Sequence, residues 1–84
     1  MGTKLHVGNI PSTIEEQDLR TTFGRFGPVE TVEIAMNPET GQRMGFAIVS
    51  MSETGDADAA IRLLNFSQLD GRTIGVGKAR ETRA

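Results

Sequence analysis

The chain reads as an α+β domain of order β-α-β-β-α-β, with two helices on one face of a four-stranded antiparallel sheet. Three observations lead there. Four short segments carry apolar residues at the alternation of a strand. Two others carry apolar residues at helical spacing behind helix-start signals. The chain has 84 residues, enough for one modest core but too few for a third layer over both sides of a sheet.

The first strand is residues 4–10, KLHVGNI. Leu5 and Val7 point to one face, His6 and Gly8 to the other, and Pro11 closes it. Thr13 and Glu16 are spaced as a capping box, in which hydroxyl and carboxylate each accept from the other's backbone amide. Leu19, Phe23 and Phe26 follow as core residues of the first helix, and Gly24 and Gly27 mark its end. Val29, Val32 and Ile34 continue into a second strand, with Glu33 and Ala35 on its other side. NPETGQ, residues 37–42, is turn chemistry, so the flanking strands form a hairpin.

The third strand, MGFAIVSM at residues 44–51, is apolar both ways. Ala47 and Val49 face one side; Met44, Phe46 and Ile48 face the other. A strand with one wet side should alternate instead. Ser52 or Thr54 then caps a second helix, whose apolar stripe is Ala57, Ala60, Ile61 and Leu64. Phe66 stands where a glycine commonly ends such a helix. It is expected to pack as a satellite of the core, strained if its φ is positive, with an exposed partner contact as the alternative. Asp70 and Gly71 make a turn. Residues 73–78 are the fourth strand, with Ile74 and Val76 inward and Gly75 and Gly77 outward. Residues 80–84 read as a frayed tail. The expectation is one domain over residues 1–84, ordered from about 4 to 79. This element order is the ferredoxin-like arrangement. With both helices on one side, no segment is left to cover Phe46 and Ile48.

Composition narrows the function classes. There is no cysteine, which removes disulfides and thiolate metal sites and fits a reducing compartment, here expected to be the cytoplasm. Apolar runs are short, so no membrane-spanning segment is expected. One histidine, no cysteine and no tyrosine leave little for an enzyme to use as nucleophile or acid–base pair. Asp56 and Asp58 are wrongly spaced for one helical face, and neither a metal nor a cofactor is expected. The net charge of −2 does not announce nucleic acid, but charge is unevenly placed. Residues 15–30 hold four acids and two bases, whereas residues 72–83 hold four bases and one acid.

LHVGNI and MGFAIVSM resemble the hexapeptide and octapeptide of the RNA recognition motif, and PETGQ and LDGR fit the same register over residues 4–80. The chain is similar to small bacterial single-motif RNA-binding proteins. The resemblance implies a monomeric module that lays single-stranded RNA, or single-stranded DNA, on its open sheet. His6 and Phe46 would stack bases, with Ile48 in the third site. Lys4, Arg43, Lys78 and Arg80 lie where they could meet phosphates, although Arg43 points to the other side unless its loop bends. Asn9 and Glu33 would touch base edges. Gly8, Gly45, Gly75 and Gly77 keep the surface low. The departures weaken the site. His6 and Ile48 replace aromatics, and Met44 replaces the usual basic residue. Binding at micromolar affinity or poorer is expected, with two to four ionic contacts. The alternative is a degenerate motif that holds a protein partner, which Met44, Ile48, Met51 and the acidity suit.

Overall fold

The computed structural model describes residues 2–79. In chain order the elements are β1 (Thr3–Gly8), α1 (Glu16–Gly24), β2 (Val29–Met36), β3 (Arg43–Met51), α2 (Thr54–Leu64), β4 (Gln68–Leu69), β5 (Arg72–Thr73) and β6 (Gly75–Lys78). Strands β2, β3, β1 and β6 form an antiparallel sheet in that spatial order. The molecule measures 19 Å along its shortest axis and 36 Å along the other two. One sheet and one layer of helices fill that thickness.

Alternation assigns the two sheet faces. Leu5, Val7, Ala47, Val49 and Val76 point to the helices and are buried, together with Leu19, Phe23 and Ile74. Each valine, leucine, isoleucine or phenylalanine among them contributes roughly 1.5–3 kcal/mol by leaving water, so this face holds most of the stability. Met51 is fully buried as well. Phe26, Ile61 and Leu64 are only partly buried and pack at the rim of the core. Small Ala57 and Ala60 are fully buried on α2, which lets that helix approach the sheet closely.

The helix starts differ from the expected ones. Glu15, not Thr13, is the cap of α1, and its backbone amide donates to the Asp18 carboxylate at 2.8 Å. The Thr13 hydroxyl instead donates to Asp70 at 2.8 Å, tying this loop to the distant turn. The cap of α2 is Glu53, one residue between the two candidates; the Thr54 hydroxyl pairs with that of Thr3. The expected fourth strand also divides. Arg72 and Thr73 pair with Gln68 and Leu69 in a separate ribbon, and β6 begins at Gly75. Asp70 and Gly71 both have positive φ, 52° and 81°, as a two-residue hairpin turn requires.

Phe66 is a clear correction. It is 78% exposed, so it is no satellite of the core. Its φ is +68°, a conformation that is unusual for a bulky residue. Hydrogen bonds hold it there: its amide donates to the Ile74 carbonyl at 2.9 Å, and the Asn65 side chain accepts from the Val76 amide at 3.0 Å. These bonds fasten the end of α2 to the β6 edge of the sheet.

Candidate functional site

The face of the sheet turned away from the helices has a readable layout. In the central row, Glu33 lies opposite Ile48, Ile48 opposite His6, and His6 opposite Gly77. In the next row, Phe46 lies opposite Gly8, and Gly8 opposite Gly75. On the other side, Ser50 lies opposite Lys4. No helix lies over this face among the described residues.

His6 and Phe46 are diagonal neighbours, and Gly8 lets them meet. The imidazole leans along β1 over Gly8, where a methyl group would lie 3.3 Å from its Cε1. It stacks on the Phe46 ring with centroids 4.9 Å apart and planes 20° from parallel. His6 is exposed and Phe46 half-buried. The expectation of two separate stackers therefore becomes one two-ring platform, with one face of each ring already against the other. Beside it runs an open groove of about 740 Å³, lined by His6, Gly8, Asn9, Ile48, Gly75, Gly77, Lys78 and Ala79. At Gly75 and Gly77 its floor carries no side chain, so a flat ring can approach the sheet closely there.

Gly45 contributes conformation rather than space. Its φ is +85°, which other residues rarely adopt. The strand irregularity there lets its carbonyl accept from the Ile10 amide at 3.0 Å. Met44 beside it is 57% exposed.

Two of the expected phosphate contacts, Arg43 and Lys78, are placed elsewhere. The Arg43 guanidinium lies on the helix side, its side chain only 21% exposed. It donates to the Ser12 carbonyl at 2.8 Å, to the Ile14 carbonyl, and to Glu15 at 3.2 Å. Arg43 thus anchors the loop that leads into α1. Lys78 has the parity of buried Val76 and pairs with Asp58 of α2 at 3.4 Å. Asn9 has a φ of +61°, tolerable for asparagine. Its amide donates to the Thr73 carbonyl at 2.6 Å, so one of the groups expected to touch base edges has a structural task. Arg80 lies outside the described residues. Lys4 is exposed on the open face. Against it stand exposed Glu33 and Glu30, whose carboxylate accepts from the Ser50 hydroxyl at 3.3 Å. Among the described residues the open face is therefore neutral to acidic. It offers rings and backbone, and little positive charge.

The RNA recognition motif family matches residues 5–75, and the chain belongs to that family. It is 41% identical over 76 residues to the chloroplastic 28 kDa ribonucleoprotein of Spinacia oleracea, which covers 90% of this chain and 33% of that protein. Among solved structures it is similar to RNA Binding Protein PG1, with a TM-score of 0.89, 30% identity and coverage of 98% and 99% of the two chains. It is also similar to the SXL-Lethal protein/RNA complex, with a TM-score of 0.90, 28% identity and coverage of 99% and 50%. This chain spans only 20% to 33% of the length of its plant and mammalian curated relatives. The narrower likeness to bacterial proteins finds no support among these relatives.

Proposed function

We propose that this chain binds single-stranded RNA on its open sheet face, with bases stacked on the His6–Phe46 pair and laid along the groove beside it. The observation that carries this reading is the ring pair next to a floor without side chains at Gly75 and Gly77. An unpaired base has two apolar faces and a polar edge, and such a surface accommodates both. Single-stranded DNA offers the same faces.

The layout makes recognition base-led. With Lys4 as the main cation on the face among the described residues, about one ionic contact is expected from them, and the salt slope on a single strand should be near −0.7. One stacking platform and few charges imply micromolar affinity or poorer, about 8 kcal/mol at the micromolar mark. One copy carries the whole platform, so a monomer suffices. The lack of cysteine suits a reducing compartment, and cytoplasmic action is part of the proposal.

A protein partner is the second reading. Exposed Leu63 and Phe66, at 66% and 78%, favour it. Titration of labelled protein with mixed-sequence octanucleotides, followed by NMR, separates the two. Shifts at His6, Phe46 and Ile48 support RNA, and Phe46→Ala should then weaken binding by about 1–3 kcal/mol. Shifts confined to α2 and Phe66, or none at all, overturn the RNA reading.

A further inference from the structure

We infer that Glu33 makes the open face select bases that present an amino group, guanine foremost, and discriminate against uracil. The inference rests on the RNA-binding reading and deepens it. Glu33 lies directly opposite Ile48 in the central row and diagonal to Phe46. Directly opposed strand residues lie about 5 Å apart and diagonal ones about 7–8 Å, within reach of a long side chain. A base stacked on the ring pair with its polar edge toward β2 therefore meets this carboxylate. Glu33 is exposed, and among the described residues it has no ion-pair partner.

An ionised carboxylate accepts hydrogen bonds and donates none. The bases differ sharply toward such a group. Guanine presents N1–H and the N2 amino group side by side, matching both carboxylate oxygens. Cytosine and adenine each present one amino group beside an acceptor nitrogen. Uracil presents a single N3–H between two carbonyls, so the carboxylate meets acceptors on either side. The charge balance of the face strengthens the effect. Among the described residues of this face, Lys4 is set against Glu30 and Glu33, so phosphate attraction there does little to mask a poor edge contact.

The test uses labelled octamers of uridine in which one central base is uracil, guanine, cytosine or adenine. Anisotropy titrations use the whole chain at fixed salt. The octamer with guanine should bind about tenfold more tightly than all-uridine, with cytosine and adenine between. Glu33→Gln should collapse that ratio toward one, because a carboxamide both donates and accepts. Equal binding of the four octamers by the unaltered chain overturns the inference and leaves the RNA reading standing. So does a preference that survives Glu33→Gln. Failure of every octamer, mixed sequences included, overturns the RNA reading and the inference together.

Discussion

The two faces of the sheet are made from alternate residues of the same strands, and they use basic side chains in opposite ways. The helix side buries Leu5, Val7, Ala47, Val49 and Val76. It also recruits Arg43 to three acceptors of the loop before α1, and Lys78 to Asp58 on α2. The open side keeps two stacked rings, an isoleucine and bare glycines, with Lys4 facing two glutamates. Two of the cations expected to meet RNA, Arg43 and Lys78, serve the fold instead. A surface meant to hold a polyanion is left to do so mainly through base faces and edges.

That contrast can be broken most sharply by truncating one residue on each side. Leu5→Ala removes a fully buried side chain and should lower the unfolding free energy by about 2–5 kcal/mol. Ile48→Ala, next in line on the other face, should cost about 1 kcal/mol or less, since half-buried truncations leave no closed cavity. Urea unfolding measures both. Comparable losses would mean that the open face also carries the fold.

A smaller effect tests the placement of charge. Arg43→Ala should destabilise the chain by about 1.5–3 kcal/mol, the range for hydrogen bonds to a charged group. The dependence of RNA affinity on salt should stay as it was. A slope shallower by about 0.7 would show instead that Arg43 releases a counterion from a phosphate.

The smallest effect concerns Phe66. Its left-handed backbone costs a bulky residue about 1–2 kcal/mol, and glycine takes that conformation freely. Phe66→Gly should therefore raise the thermal midpoint by a few degrees, for a gain of about 1 kcal/mol in so small a domain. RNA shifts on His6 and Phe46 should be unchanged. A lower midpoint would show that the ring makes a stabilising contact despite its exposure.

Much of this molecule was legible in the sequence because alternation is a local property. Once Leu5 and Val7 turn inward, His6 must turn outward, and Ala47 and Val49 place Phe46 and Ile48 in the same way. Element order then placed both helices on one side of the sheet, and among the described residues no helix lies over the other. The cap residues were less legible. Thr13 has the right chemistry for a helix start, but Asp70, 57 positions away in sequence, takes its hydroxyl.

The sequence by itself determined which side of β1, and of β3 from Phe46 to Met51, a residue occupies, because a period of two allows no other choice where the pairing is regular. The irregularities of β2 that bring Glu30 and Glu33 to one face belong to the tertiary structure. Only tertiary structure decided what each side chain meets there. The destinations of Arg43, Lys78 and Asn9 depend on carbonyls and carboxylates brought near by chain crossing. The meeting of His6 with Phe46 depends on the register that sets Gly8 opposite Phe46. Long polar side chains and rings are directed by such distant neighbours, and no local pattern records them.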